Sequence, residues 1–343
     1  MTGFLKAITE RVLILDGAMG TLLQERGLSP GGCPEEMNRN APDVVIGIHA
    51  EYAEAGADVL IANSFGGNRV KLANYNLGNA VDELNRRAVA LARKAAPAGV
   101  FVGGSVGPTG RFVEPVGDVG FDEMIDIFAE QISTLVGAGA DLISFQSFLD
   151  IRELRAGVIA CRDVCDLPVI AQMTFGDAGR TVLGTPPSAA AVTLDALRVD
   201  VIGANCGLGI DGIHDVLAEM RQVTPRPLIA LANAGLPTHR NGPAIFPATP
   251  EEVTAYNERL IAIGVRVVGG CCGTTPCHIR VMRDALNNYP QDWCPPPRRG
   301  FLSSRSGVAE FGGETPCALI GERINPTGKK GYTEELRAGK TAY

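Results

Sequence analysis

The chain lacks the features of a membrane protein and of a nucleic-acid-binding protein. No uninterrupted apolar stretch reaches the ~18 residues that a spanning helix needs. Residues 1–11 carry charges where a signal peptide has its apolar core. Acidic residues outnumber basic ones by 38 to 31, which gives a net charge of −7. This balance argues against nucleic acid or an anionic membrane as the main partner, and we expect a cytoplasmic protein.

Two further absences bear on the fold and the chemistry. No G-x-G-x-x-G fingerprint follows an early strand, which argues against a doubly wound dinucleotide-binding sheet. Histidine occurs only four times, at ordinary helix and loop positions. Cysteine, by contrast, occurs nine times in a chain of 343 residues, which is too large to need disulfides for stability. In a cytosolic protein such cysteines are core residues, metal ligands or nucleophiles.

Eight short apolar runs rich in β-branched residues alternate with segments of helical periodicity. Alternating buried strands and helices predict a parallel sheet. Eight such units match the size of a (β/α)8 barrel, commonly about 250 residues before insertions. We therefore predict an α/β fold, a (β/α)8 TIM barrel over residues 1–293 with a short C-terminal extension. The predicted strands are 12–15, 58–62, 100–104, 141–145, 168–172, 200–204, 227–231 and 265–269, and the clearest helices are 80–95, 121–136, 151–161, 187–197 and 250–263.

The composition changes after Trp293. Residues 294–300 form a proline-rich, polar connector that favours neither sheet nor helix. The ~45 residues that follow are too few to form an independent domain without disulfides or metals. We interpret residues 294–343 as a linker followed by the truncated start of a second domain.

Polar side chains follow nearly every predicted strand. In barrel enzymes the carboxyl ends of the strands carry the chemistry, so these residues are candidates for a functional site. A barrel that served only as a scaffold would not need them. In strand order they are Asp16, Asn63 with Ser64, Ser105, Gln146, Thr174, Cys206, Asn233, and Cys271 with Cys272.

Three of these residues, Cys206, Cys271 and Cys272, predict a zinc site. Thiolates select zinc or copper(I) over magnesium or calcium, and three protein ligands leave the fourth position of zinc open. Such an electron-rich site is poor at making hydroxide but suits the binding of a substrate thiol. A free thiol has a pKa near 8.5 and is mostly protonated at neutral pH, a limit that coordination removes. We predict alkyl transfer to a metal-bound substrate thiolate.

Other interpretations of the cysteines are open. An isolated buried cysteine is usually a small apolar residue, and we read Cys161, Cys165 and Cys277 in this way. Residues 269–275 would also suit a phosphate-binding loop of the kind that follows the last strands of many barrels. The absence of a basic residue within this loop argues against that role.

Residues 16–21, Asp-Gly-Ala-Met-Gly-Thr, form the second dense motif. A carboxylate beside exposed backbone amides at a strand end can hold both charges of an amino acid. Asp16 would take the ammonium group, and the amides of Gly17 and Ala18 would take the carboxylate. In the alternative, the motif is a tight turn in which Asp16 only caps the following helix.

Taken together, the motifs resemble those of the homocysteine S-methyltransferase family. The resemblance covers about residues 8–290 and rests on segments 15–21, 203–206, 233–237 and 269–276. It implies a (β/α)8 barrel in which three cysteines hold zinc and the zinc binds homocysteine. The implied zinc ligands are Cys206, Cys271 and Cys272, and the implied substrate-binding residues are Asp16, Gly17, Ala18, Ser64, Gln146 and Asn233.

The resemblance also implies individual roles. Ser64 falls where a hydroxyl contacts the substrate carboxylate, and Asn233 matches a residue that occupies the fourth zinc position until homocysteine displaces it. One position departs from the family pattern, because Gln146-Ser147 stands where the family usually has Glu-Thr. Loss of a charge-assisted hydrogen bond to the ammonium group would weaken homocysteine binding roughly tenfold.

The C-terminal segment 321–328, Gly-Glu-Arg-Ile-Asn-Pro-Thr-Gly, resembles the start of the folate-binding (pterin-binding) domain of cobalamin-dependent methionine synthases. This resemblance implies an N-terminal homocysteine module. Its methyl donor would be methylcobalamin held on another module, so that cobalamin-binding and folate-binding modules are the expected partners. The alternatives are a methyltransferase that uses betaine or S-methylmethionine, and a non-catalytic zinc- or thiol-binding barrel.

Overall fold

The computed structural model describes residues 3–176, 178–236, 246–286 and 293–313, and residues 289, 315, 334, 337 and 338. Eight parallel strands form one sheet in the order β1-β8-β7-β6-β5-β4-β3-β2. They are β1 Leu13–Ile14, β2 Val59–Ile61, β3 Phe101–Val106, β4 Leu142–Phe148, β5 Val169–Met173, β6 Val201–Asn205, β7 Leu228–Ala232 and β8 Val265–Gly270.

The sheet closes on itself. A parallel bridge between Leu15 and Val59 joins β1 to β2. The amide of Asp16 also donates to the carbonyl of Val59 at 3.1 Å, and that of Asp58 to the carbonyl of Ile14 at 2.7 Å. These contacts join the two ends of the strand order, so the predicted (β/α)8 barrel is confirmed and the doubly wound sheet is excluded.

The helices surround the barrel. Those predicted at 80–95, 121–136, 151–161 and 187–197 are all present, with ends within three residues of the expected ones. The helices are α1 Gly3–Glu10, α2 Met19–Glu25, α3 Met37–Asn40, α4 Pro42–Glu54, α5 Arg69–Ala73, α6 Val81–Ala95, α7 Phe121–Gly137, α8 Ile151–Val164, α9 Pro187–Ala196, α10 Ile210–Arg221, α11 Pro250–Thr254, α12 Asn257–Ala262 and α13 Pro276–Leu286. In the described part of the chain, none of them is both long and apolar enough to cross a membrane.

The prediction of a single helix at 250–263 was wrong, because this segment is divided between α11 and α12. Its start is as expected: the Thr249 side chain accepts from the amide of Glu252, and the Glu252 side chain accepts from the amide of Thr249. At Tyr256 the backbone has ψ −10°, far from the helical value of about −42°, and the regular hydrogen-bond pattern stops.

The barrel interior is apolar at its amino-terminal end. Every second side chain along each strand points into the barrel. Phe4 and Ile8 of α1 pack against these side chains and cover the amino-terminal opening of the barrel. This plug closes one end of the barrel, while the polar residues lie at the other end. The inward-facing apolar residues of the strands are Leu13, Leu15, Val59, Ile61, Leu142, Ile170, Val201, Ile229, Leu231 and Val267.

The residues after the barrel form an antiparallel hairpin that the sequence did not predict, β9 Gly300–Ser303 and β10 Val308–Phe311. The hairpin lies on α9, where the hydroxyls of Thr193 and Ser303 are 2.9 Å apart. The motif at 321–328 lies outside the described residues, so the second domain stays a prediction. Pro237 and His239 also lie outside them.

Candidate metal centre and substrate cavity

Three cysteine sulfurs converge at the carboxyl end of the barrel. Cys206 follows β6, and Cys271 and Cys272 follow β8. The Sγ atom of Cys206 lies 2.9 Å from that of Cys271 and 3.6 Å from that of Cys272, and all three lie within 4.8 Å of one another. Zinc–sulfur bonds of ~2.3 Å in a tetrahedral arrangement would place the sulfurs about 3.8 Å apart. The cluster therefore has the size and the ligand type for one zinc ion.

The backbone turns sharply where these cysteines leave the strands. Cys206 has φ 57°, in the left-handed region that few residues other than glycine adopt. Next to it, a Cβ on Gly207 would lie 2.3 Å from the carbonyl oxygen of Phe175. After β8, Gly273 has φ 77°, and a Cβ there would lie 2.2 Å from Phe246. Glycine is required at both positions, because a side chain at Gly207 would collide with the carbonyl of Phe175 and one at Gly273 with the side chain of Phe246.

The thiols form a hydrogen-bonded group. Donation from Cys206 and from Cys271 lowers the pKa of Cys272 well below its usual value. The same bonds, together with burial, raise the pKa of Cys271. Asn233 lies against the group, because its Oδ1 accepts from the Cys206 thiol at 3.4 Å and from the Cys272 amide at 3.1 Å. The cluster thus favours one shared negative charge, and a carboxamide oxygen lies beside it.

The phosphate-loop interpretation of residues 269–275 does not fit the contacts of that loop. The amides that a phosphate would need already donate to acceptors within the protein. The donor–acceptor pairs are Gly270 to Asp16 O, Cys271 to Ala232 O, Cys272 to Asn233 Oδ1, Gly273 to Thr21 Oγ1, Thr274 to Cys271 O and Thr275 to His278 Nδ1.

A cavity of about 240 Å³ opens beside the cluster. The three cysteines line one side of it. Asp16, which follows β1, and Ser105 and Gln146, which lie in β3 and β4, line another part of the wall. We call the part lined by the cysteines the sulfur side and the part lined by these polar residues, together with Glu35, the oxygen side. A compartment with sulfur on one side and oxygen on the other fits a small molecule that carries a thiol at one end and polar groups at the other.

Asp16 is buried, and it does not cap a helix. Its Oδ2 accepts from the amide of Ile61 at 2.8 Å, and burial raises the pKa of its carboxyl group well above the usual value. Helix α2 is preceded by Ala18, without a side-chain cap. The alternative in which Asp16 only caps the helix was therefore wrong. Of the two amides expected to hold a carboxylate, that of Ala18 already donates to the carbonyl of Thr274 at 3.2 Å.

Ser64 occupies a different place from the one that the family resemblance implied, whereas Ser105 lies at the cavity as expected of a strand-end residue. The Ser64 hydroxyl donates to the carbonyl of Ser105 at 2.9 Å and accepts from its amide at 3.0 Å, so it joins β2 to β3. Ser64 does not line the cavity, whereas Ser105 does. The Ser105 hydroxyl donates to Oε1 of Gln146 at 3.3 Å. Ser105 from β3, and Gln146 with Ser147 from β4, are thus the polar residues that these two strands present to the cavity.

Asn205 and Glu35 are among the cavity residues that the sequence did not predict. Asn205 ends β6, and its side chain donates to the Ser147 hydroxyl at 2.8 Å and approaches Cys271 Sγ at 3.7 Å. Glu35 comes from the long connection between β1 and β2 and reaches the cavity from above β2. The unusual length of that connection was the available signal, but nothing in the local sequence shows where the segment folds.

Comparison with known proteins agrees with this geometry. A profile of the homocysteine S-methyltransferase family matches residues 13–286, about four fifths of the chain. The chain belongs to the homocysteine S-methyltransferase family. All four motifs that carried the resemblance lie inside the matched range, so the resemblance is confirmed at the level of the family.

Within this family, the chain is similar to the methionine synthases of two mycobacteria. It is 33% identical over 357 residues to the methionine synthase of Mycobacterium tuberculosis (strain ATCC 25618 / H37Rv) and 32% identical over 362 residues to that of Mycobacterium leprae (strain TN). Each comparison covers 98% of this chain and 30% of the relative. The chain therefore spans about a third of the length of these relatives.

A solved structure with the same fold is the metallated form of the homocysteine methyltransferase MmuM from Escherichia coli. The TM-score is 0.69 at 24% sequence identity, with 80% of this chain and 96% of that chain covered. This likeness establishes that both proteins share the barrel fold.

Proposed function

We propose that this chain is a zinc-dependent methyltransferase module that methylates homocysteine to methionine with methylcobalamin as donor. The observation that carries the proposal is the group of three sulfurs beside a cavity whose opposite wall bears carboxylate, hydroxyl and amide groups. Membership of the homocysteine S-methyltransferase family supports the substrate. Similarity to methionine synthases supports the product.

The residues of the sulfur side would hold the metal. Cys206, Cys271 and Cys272 supply three soft ligands, and zinc bound there would keep a substrate thiol deprotonated at neutral pH. Asn233, with its Oδ1 at 3.4 Å from the Cys206 sulfur, would supply an oxygen ligand that the substrate thiol could replace. The deprotonated substrate sulfur would supply the electron pair of the new S–C bond, and the electron pair of the broken bond would remain with the methyl donor.

The oxygen side would orient the amino acid. Asp16 and Gln146 face the cavity from β1 and β4 and would receive the ammonium group, and the Gly17 amide would contact the carboxylate. The hydroxyl of Ser64 is committed to Ser105, so we assign Ser64 a supporting role in which it holds Ser105 at the cavity wall.

The loops around the cavity support a donor delivered by another module. Four large apolar side chains on the loops after β2, β4, β5 and β7 are exposed at the end of the barrel that carries the cavity, where they could form an interaction surface. They are Phe65 (39% exposed), Leu149 (39%), Val182 (65%) and Leu236 (53%). We propose that a cobalamin-binding module docks on this rim, and that residues 294–343 lead to a folate-binding module.

Donor assays with the zinc-loaded chain test the proposal. Homocysteine would be mixed in turn with methylcobalamin, betaine and S-methylmethionine, and methionine would be measured by chromatography. We expect methionine only with methylcobalamin, accompanied by loss of the methylcobalamin absorbance. Methionine formed only with betaine or S-methylmethionine would refute the donor. Zinc and homocysteine binding without methionine from any donor would indicate a non-catalytic barrel.

A further inference from the structure

We propose that Glu35 is the principal anionic receptor for the substrate ammonium group, and that it makes the cavity selective for thiols with an α-amino group. This inference rests on the proposed chemistry at the cysteine cluster. It assigns a binding role to a residue from the β1–β2 connection rather than from a strand end. The geometry, the charge balance of the cavity and the protonation of the neighbouring thiol all bear on it.

The Glu35 carboxylate is held rigidly at the cavity wall. Its Oε1 accepts from the amide of Gly66 at 2.6 Å, and its Oε2 accepts from the thiol of Cys33 at 3.3 Å. The side chain is 4% exposed and lines the cavity. An ionised carboxylate has about four acceptor positions, so these two bonds leave capacity for a ligand.

Cys33 keeps its proton and so remains a donor. Burial, and then the charge of Glu35, raise the pKa of the Cys33 thiol to about 12. The thiol is therefore protonated at any physiological pH and remains a hydrogen-bond donor to the Glu35 carboxylate. The Gly66 amide is a second donor to the same carboxylate.

Among the described residues, no lysine, arginine or histidine forms an ion pair with the buried Glu35 carboxylate. Its neighbour Glu36 pairs with Arg39 at 2.9 Å. Among the described residues, those lining the cavity that Glu35 faces include no lysine, arginine or histidine. Glutamate is almost never fully buried unless it is paired. A cationic ligand group would supply the missing partner.

The other polar groups of the cavity are less suited to this role. Gln146 carries no charge, and its Oε1 already accepts from Ser105. Asp16 is the second carboxylate in the described lining, but its Oδ2 accepts from the Ile61 amide, and burial favours its neutral form. A cation in a buried site needs an ionised partner to offset the loss of its hydration. Glu35 is the group that combines position, fixed geometry and charge.

The test is a comparison of two ligands on zinc-loaded Glu35→Gln and on the unmodified protein. One ligand is homocysteine, and the other is deamino-homocysteine, the same thiol acid without the amino group. We expect Glu35→Gln to weaken homocysteine binding roughly tenfold or more in calorimetric titration, and to leave deamino-homocysteine binding unchanged. Glu36→Gln is the matched control, because it removes the same charge from the adjacent residue outside the cavity.

The outcomes distinguish failure of the role proposed for Glu35 from failure of the proposed function. Equal weakening of both ligands by Glu35→Gln would show that Glu35 only fastens the β1–β2 connection to Gly66, and would overturn the inference. Unchanged binding of both ligands would also overturn it. If the unmodified zinc-loaded protein bound no homocysteine, the proposed function itself would fail.

Discussion

The sulfur side of the cavity is held together by contacts among its own members, whereas the oxygen side is held by the surrounding backbone. The thiol of Cys206 forms hydrogen bonds with the thiols of both Cys271 and Cys272. In contrast, Asp16 bonds to the amide of Ile61, and Glu35 to that of Gly66. The sulfur side is therefore a single unit that a metal would stabilise as a whole. On the oxygen side, Asp16 and Glu35 have separate anchors, so the effects of mutating them should be separable.

Removal of one sulfur should have the largest effect. We expect Cys272→Ser to lower the zinc content from about one ion per chain to near zero and to abolish methionine formation, because three thiolates are needed for the site. The loss of activity should exceed the ~100-fold seen for changes behind a metal site. Cys277→Ser is the control, since this exposed thiol lies outside the cluster. Retained zinc and turnover in Cys272→Ser would contradict the assignment.

A substitution that strains the backbone next to the cysteine sulfurs should have the second largest effect. Gly273→Ala combines a positive φ with a Cβ 2.2 Å from Phe246, so we expect a loss of about 3 kcal/mol in the free energy of unfolding and weaker zinc binding. Gly27→Ala has φ 109° with no atom within 4 Å of its Cβ, and should show only the backbone cost of about 1 kcal/mol. Denaturant titration and zinc competition measure both effects. Equal effects of the two substitutions would show that the close contact between Gly273 and Phe246 does not matter for stability or zinc binding.

A buried acid behind the oxygen side should make stability depend on pH. Glu153 accepts from the amide and hydroxyl of Thr109, in the loop after β3, and burial raises the pKa of Glu153 from 4.5 to about 7. The folded state thus binds this proton more tightly than the unfolded chain does. The stability that Glu153 contributes is fully present below pH 4.5 and is lost as the pH rises through about 7, by on the order of 3 kcal/mol. Glu153→Gln should lack this component in unfolding titrations from pH 4.5 to 8, and an unchanged slope would contradict the assignment.

A charge added to the oxygen side should have the smallest effect. We expect Gln146→Glu to tighten homocysteine binding roughly tenfold, through a charge-assisted bond to the ammonium group, while zinc content stays the same. Gln24→Glu adds the same charge at an exposed position of α2 and should change neither quantity. If Gln146→Glu released zinc, the two sides of the cavity would not be independent.

The same contrast explains what the sequence could reveal. The strands could be predicted because buried parallel strands appear in a sequence as continuous apolar runs rich in β-branched residues. The proximity of Cys206 to Cys271 and Cys272 could be predicted because the carboxyl ends of such strands lie at the same end of the barrel. The position of Glu35 could not be predicted, because it depends on distant contacts. Asn63, for example, donates to the carbonyl of Pro34 at 2.7 Å and fixes that segment above β2.

Residues just beyond a strand were also hard to assign. Period-two alternation tells which side chains face the barrel interior only while the strand lasts. Because β2 ends at Ile61, the orientation of Ser64 is set by its bonds to Ser105, and it turns away from the cavity. The hairpin at residues 300–311 depends in a similar way on α9, a helix more than a hundred positions earlier.

X-ray absorption at the zinc edge, with and without homocysteine, tests the central claim most directly. The account predicts three sulfurs and one lighter atom around zinc in the free protein, and four sulfurs once homocysteine is added, as the substrate thiolate enters the open position. A protein that binds no zinc, or a coordination shell that homocysteine leaves unchanged, would contradict it.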